Sequence, residues 1–335
     1  MSAARTLTKN TLRSLAFIAL AFLVTAGAGV CRAADFPNPL MPGADPHALT
    51  HGKTVWIYPT GGGGEGAERR AFYAFSSEDL IHWRRHGPVL RLRDVQWITG
   101  KLAWAPGVIE RGGKWYFYYS LGPKPSSIGV AVGDNPAGPF RDSGKPLLQD
   151  KGEKGFEAID AMVFADPQSG KCYLYAGGSA GATLRVFELN PDMVSFAREV
   201  RVKTPQNFTE GAFMHYRNEL YYLSYSHGNW RKASYSVHYA TSKTPVGPWT
   251  YRGAILVSDA TRKGPGHHSF FTSPVDGADF IAYHRYDGVR GNGPYERVPR
   301  RIALERVHYD KDGMIRPIVM TDATAAEAGV GKRKK

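Results

Sequence analysis

The stretch TEGAFMHYRNELYYLSYS, residues 209–226, sets how the rest of the chain is read. After Thr209-Glu210-Gly211 it runs apolar and aromatic to a turn at Arg217-Asn218, then continues through Leu220-Tyr221-Tyr222-Leu223-Ser224-Tyr225. Period-two patterning in aromatic-rich runs marks β-strands, and two such runs around a short polar turn make a hairpin. The layout returns as ADPHALTHGKTVWIYPT from Ala44, AWAPGVIERGGKWYFYYS from Ala103, IDAMVFADPQSGKCYLYAGG from Ile159 and GHHSFFTSPVDGADFIAYHR from Gly266. Successive copies start 50 to 59 residues apart.

A second pattern follows each hairpin, beginning at Phe72, Ile128, Leu184, Val237 and Ile302: a strand, a polar turn, an aromatic such as Trp83, Phe140, Phe196 or Trp249, and a further strand. Two hairpins per copy build a four-stranded antiparallel sheet. Five sheets repeated about an axis predict an all-β chain folded as a five-bladed β-propeller over residues 35–321. An ordinary β-sandwich does not explain five copies in register.

The ends read differently. Arg5, Lys9 and Arg13 precede an apolar run from Leu15 to Val24 and small residues up to Ala33, the layout of an export signal over residues 1–33; the run is short for a membrane span. Residues 322–335 read as a basic, solvated tail. Setting aside Arg5, Lys9, Arg13 and Arg32, and then Lys332, Arg333, Lys334 and Lys335, reduces the net charge from +13 to +5. The body shows no Lys/Arg stripe of the kind that grips nucleic acid. Of the two cysteines, Cys31 and Cys172, only Cys172 outlasts signal removal, which leaves no intramolecular disulfide. The expected product is a secreted or periplasmic protein without a membrane anchor, whose oligomeric state is open.

Asp45, Asp160 and Glu210 fall at matching places at the heads of the first, third and fourth copies, with Trp104 and Pro106 in the second and His267 in the fifth. In a propeller these heads meet at one mouth, which brings three carboxyl groups from distant blades together. Glycosidic hydrolysis needs one carboxylic acid to protonate the leaving oxygen and one carboxylate to activate water or attack the sugar. A third carboxyl group shifts and orients its neighbours. Trp104 is the best-placed platform for a sugar ring, with Trp97 and Trp230 in loops beside it. Arg300 or Arg301 would bind hydroxyls. The run Gly61-Gly62-Gly63-Gly64-Glu65-Gly66 lacks the Lys-Ser/Thr ending of a phosphate loop and reads as a rim segment.

These residues resemble glycoside hydrolase family 43: Ala44-Asp45-Pro46, Trp104-Ala105-Pro106, Ile159-Asp160, Thr209-Glu210-Gly211 and Gly266-His267 occur in order at blade spacing. The resemblance implies inverting hydrolysis of arabinose- or xylose-containing saccharides, of the α-L-arabinofuranosidase, β-xylosidase or arabinanase type. In that scheme Asp45 is the general base, Glu210 the general acid and Asp160 the residue that holds and tunes Glu210. It implies no cofactor for the chemistry and a structural calcium on the axis, held through His267. An arginine near the sugar, Arg300 or Arg301, is implied as well. Two departures stand out: Gly107 follows Trp-Ala-Pro where an acidic residue is common, and His268 takes a position that is commonly small and is expected to shape the substrate floor. A retaining fructan-type glycosidase and a noncatalytic glycan- or protein-binding propeller remain as alternatives.

Overall fold

The computed structural model describes residues 36–61, 70–98, 102–123, 125–152, 154–178, 181–295 and 298–324, and in it the period-two runs form antiparallel strands. After the two-residue strand β1 (Met41–Pro42), the first blade comprises β2 (His47–His51), β3 (Thr54–Tyr58), β4 (Ala71–Ser77) and β5 (Arg84–Arg91). The second contains β6 (Leu102–Arg111), β7 (Lys114–Gly122) and β8 (Ser127–Gly133), whose outer edge pairs with two short pieces, β9 (Arg141–Asp142) and β10 (Leu148–Gln149). The third is β11 (Met162–Ala165), β12 (Cys172–Ala176), β13 (Arg185–Leu189) and β14 (Phe196–Val200). The fourth is β15 (Glu210–Arg217), β16 (Leu220–His227), β17 (Ser236–Ser242) and β18 (Thr250–Leu256). The innermost strand of each blade touches that of the next, and the fifth blade's touches β2, which closes a ring. This is the expected five-bladed propeller.

The fifth blade departs from the expectation that residues 302–320 supply both of its outer strands. It contains β19 (Arg262–Thr272), β20 (Asp279–Asp287) and β21 (Arg301–Arg306), and its fourth strand is β1, with Met41 opposite Ile302 and Pro42 opposite Arg301. Asn38 reinforces the closure: its side chain donates to Leu304 O at 2.8 Å and to Glu305 Oε1 at 3.0 Å. Residues after Val307 instead cross to the fourth blade, where Ile318 N–H donates to Ile255 O. A ring has no free sheet edge at its seam once its first strand completes its last blade.

Apolar clusters fill the gaps between blades, such as Tyr58 and Phe72 against Phe117 and Tyr119, or Val55 and Ile57 against Phe280 and Leu304. Each fully buried side chain of this size stabilises the fold by about 1.5–3 kcal/mol. Three tyrosines at one register position add directional locks. Tyr58, Tyr118 and Tyr175 donate to Pro136 O (2.8 Å), Met193 O (2.6 Å) and Pro245 O (2.5 Å), each on the outer turn of the following blade. A buried tyrosine needs such a partner. In the fourth blade this position is Ser224, and the ring of His268 lies against it, with Nε2 2.7 Å from Ser224 Oγ.

The expected export signal, residues 1–33, lies outside the described residues, as do residues 325–335. The folded body continues past the boundary expected at residue 321. Asn38 and Ala323 form an antiparallel bridge, and Asp322 pairs with the buried Arg285. Most of the glycine-rich run also lies outside the described residues.

Candidate active site

At the head of every blade one residue adopts a positive φ: Asp45 (51°), Ala105 (34°), Asp160 (60°), Gly211 (62°) and His267 (39°). Side chains other than glycine rarely sit there, and such strain gathers at functional sites. A side chain at the end of the preceding blade's second strand meets the main-chain N–H of four of them. Thr60 Oγ1 accepts from Ala105, Ser120 Oγ from Asp160 and Ser226 Oγ from His267, at 2.8, 2.9 and 2.8 Å; His284 Nδ1 lies 3.2 Å from Asp45 N. The matching position in the third blade is Gly177, which has no side chain to offer. There the N–H of Gly211 donates to the Asp160 carboxylate instead. The missing cap therefore seats Asp160 against the backbone that carries Glu210.

Asp45 and Asp160 occupy equivalent positions, as the sequence suggests. Glu210 does not: it stands one residue before the positive-φ position, in the place that Trp104 takes in the second blade, and its pairing with Ser226 precedes a shift of register. The bulge swings its side chain to the same mouth. All three carboxyl groups are buried, with exposures of 7%, 7% and 6%.

Their surroundings differ. Burial alone would raise the pKa of Asp45, but Arg300, His267 and His284 outweigh it and hold the carboxyl well below the usual range. Arg300 Nη1 donates to Oδ1 at 3.0 Å, His284 Nδ1 is 3.1 Å from the same oxygen, and Thr60 donates to Oδ2 at 2.5 Å. Asp160 is pushed well upward by burial and by the charges of Glu210, Asp45 and Glu157. Glu210 is raised to about 7, with burial the largest cause; Asp45 and Glu157 add to it, while Tyr235 and Arg300 oppose it. Asp45 therefore stays ionised at neutral pH, whereas Asp160 and Glu210 together retain at least one proton.

The other expected residues divide. Arg300 faces inward. Its guanidinium also lies over the Trp230 ring, 5.0 Å from the centroid, which puts Trp230 on the rim. Arg301 pairs with Arg285 and Pro42 in the strand ladder of the fifth blade, and its charge acts on Asp287 instead. Trp104 is half-buried, its ring lying where a side chain on Gly122 would stand. Trp97 packs on Tyr119 and donates to Asp142, away from the carboxyl groups. His268 turns into the interior between Phe213 and Phe270, so it backs the site without forming an accessible floor. A side chain on Gly107 would come within 2.3 Å of Ala161 O, so the backbone of the next blade fills the space an acidic residue would need.

His267 Nδ1 lies 3.6 Å from Asp45 Oδ1 and 3.5 Å from Asp160 Oδ2, and burial lowers its pKa, so the ring is a neutral wall between the two carboxyl groups. Calcium takes six to eight oxygen ligands. Among the described residues no group of three or more His, Cys, Asp or Glu is arranged to hold a metal ion, and one imidazole does not make such a cage.

Sequence reasoning missed Thr60 and Tyr235. Thr60 sits where Ser120 and Ser226 sit, so aligning the ends of the second strands finds it. Tyr235 comes from the loop between β16 and β17 and donates to Glu210 Oε1 at 2.6 Å. Its trace in the sequence is Gly266, where a Cβ would stand 2.0 Å from the Tyr235 ring.

Comparisons with known proteins agree with this fold. The family described as glycosyl hydrolases family 43 matches residues 36–315. A β-D-galactofuranosidase of Aspergillus niger is 36% identical over 301 residues, covering 85% of each chain. A xylosidase/arabinosidase of Bacteroides ovatus is 30% identical over 330 residues, covering 82% of this chain and 95% of the relative. A thermostable family-43 glycoside hydrolase of known structure superposes with a TM-score of 0.71 at 26% identity, over 86% of this chain and 97% of that one. The chain belongs to glycosyl hydrolases family 43 and is a glycoside hydrolase.

Proposed function

We propose that the enzyme hydrolyses arabinose- or xylose-containing saccharides with inversion, Asp45 acting as general base on water and Glu210 as general acid on the leaving oxygen. The observation that carries this reading is the opposed protonation of the two groups: cations and hydrogen bonds hold Asp45 ionised, while burial and neighbouring carboxylates keep Glu210 protonated to about pH 7. An acid and a base are thereby available at one pH. Asp160, bonded to the N–H of Gly211, fixes the backbone beside the acid. Trp104 and Trp230 supply faces for the sugar, and Arg300 sets the base. Two carboxyl groups and water suffice for the reaction without a cofactor. The protein is exported, on the reading of residues 1–33.

A β-D-galactofuranoside is a second substrate candidate, favoured by the 36% identical relative named for that activity. Its ring carries the same stereochemistry as α-L-arabinofuranose and differs in the exocyclic carbon chain, so one pocket can take both. Hydrolysis of aryl α-L-arabinofuranosides, β-D-xylosides and β-D-galactofuranosides by wild type, Asp45→Asn and Glu210→Gln tests the reading. Loss of about 10²–10⁴-fold in the variants is expected. Equal, background turnover by all three proteins would favour a noncatalytic binder.

A further inference from the structure

Tyr235 is fully buried, and its side chain ties the fourth blade to the fifth. It leaves the loop between β16 and β17 of the fourth blade and crosses the fifth at Gly266, where any side chain would collide with its ring. It stacks on His284, with ring centroids 5.7 Å apart and planes 12° from parallel, and ends in a 2.6 Å bond to Glu210 Oε1. His284 in turn lies 3.1 Å from Asp45 Oδ1. The acid and the base are thus braced against each other through two stacked rings.

A tyrosine hydroxyl bonded to a carboxyl oxygen has a chemical consequence when the carboxyl group is neutral. A protonated carboxyl has one carbonyl oxygen, the good acceptor, and one hydroxyl oxygen, the donor. The oxygen that accepts from Tyr235 is the carbonyl oxygen, so the proton resides on the other.

Resting on the assignment of Glu210 as the acid, we propose that Tyr235 is a positioning residue that fixes the proton of Glu210 on Oε2 and aims that oxygen at the leaving group. In the reaction the Oε2–H bond breaks as the proton passes to the glycosidic oxygen, the carbon–oxygen bond to the leaving group breaks as water bonds to the anomeric carbon and gives a proton to Asp45, and Glu210 is left as a carboxylate. Tyr235 then stabilises this carboxylate through the same bond. The other charged groups that act on Glu210 are Asp45, Glu157, Asp160 and Arg300, and none of them supplies this donor.

The test is Tyr235→Phe, assayed with the best sugar of the aryl glycoside panel carrying two kinds of leaving group. Dinitrophenolate departs without protonation, whereas an alkyl alcohol requires the acid. The expected result is a loss of about 10-fold or more in kcat for the alkyl glycoside, the worth of one hydrogen bond to a charged group. The dinitrophenyl glycoside should change by less than about twofold, and the alkaline limb of kcat/KM should rise by about one pH unit. Equal losses on both substrates, or an unmoved alkaline limb, would overturn the proposal. If the Phe variant does not fold, 3,5-difluorotyrosine placed at position 235 keeps the ring and strengthens the donor. The alkaline limb should then move down, and an unmoved limb overturns the proposal. A wild type inactive on every glycoside would overturn the assignment of the acid itself, a distinct failure seen before any variant is made.

Discussion

Arg300 and Asp45, 255 positions apart in the chain, meet across the seam of the ring with Nη1 3.0 Å from Oδ1. The seam is also where β1 pairs with β21, so the contact that keeps the base ionised forms only when the propeller closes. The last blade, completed by the first strand, is what arms the first carboxylate.

Arg300→Ala removes a cause that holds the Asp45 pKa down. The pKa of Asp45 should rise, so the base is protonated over a wider acid range. The acid limb of the kcat/KM profile should move to higher pH, with kcat/KM at neutral pH falling about 10-fold or more. A pH–rate profile of the variant checks this, and an acid limb at its wild-type position would refute the role given to Arg300.

Glu210 titrates near pH 7 in the folded protein, against 4.5 for an unperturbed glutamate. A raised folded pKa means that the native state holds the proton more tightly. The associated stability is complete below pH 4.5 and is lost as pH rises through 7. Glu210→Gln, neutral at every pH, should therefore gain about 2–3 kcal/mol over wild type at pH 8 and little at pH 4. Denaturant unfolding of both proteins at the two pH values measures this.

Gly107→Asp should destabilise the protein by about 3 kcal/mol or more, because a carboxylate would be driven into the Ala161 backbone without a partner. Poor soluble yield and a lowered Tm are the expected signs. A stable, active variant would show that the second and third blades can move apart.

Arg285 is fully buried, donates to Thr321 O at 2.8 Å and pairs with Asp322, which ties the carboxy-terminal segment to the fifth blade. Arg285→Ala should cost about 3–5 kcal/mol, because it leaves the buried Glu305 and partly buried Asp287 carboxyl groups without their cation. Proteolysis should nick the variant near residue 320 before the rest of the chain.

The blades were legible because aromatic period-two runs recur at a nearly constant spacing, and Asp45 and Asp160 because they share one place in the repeat. Glu210 was found one residue out of register, since a bulge leaves no mark in the hydrophobic pattern. The closing strand Met41–Pro42 is too short for any periodicity to show. Choosing Arg300 over Arg301 required knowing where β21 begins, because side chains on adjacent strand positions point to opposite faces. His268 looked like a substrate residue, but its burial follows from Ser224 standing where three other blades carry tyrosine, a long-range compensation that a single chain does not display. Tyr235 was hidden for a similar reason: it meets Glu210 only by passing Gly266 of the fifth blade.

The anomeric configuration of the first sugar released, followed by ¹H NMR before mutarotation, tests the division of roles between Asp45 and Glu210 most directly. A base that activates water on the face opposite the departing group gives the inverted anomer, which is the result predicted here. Release of the retained anomer would make one of these carboxylates a nucleophile and contradict the account.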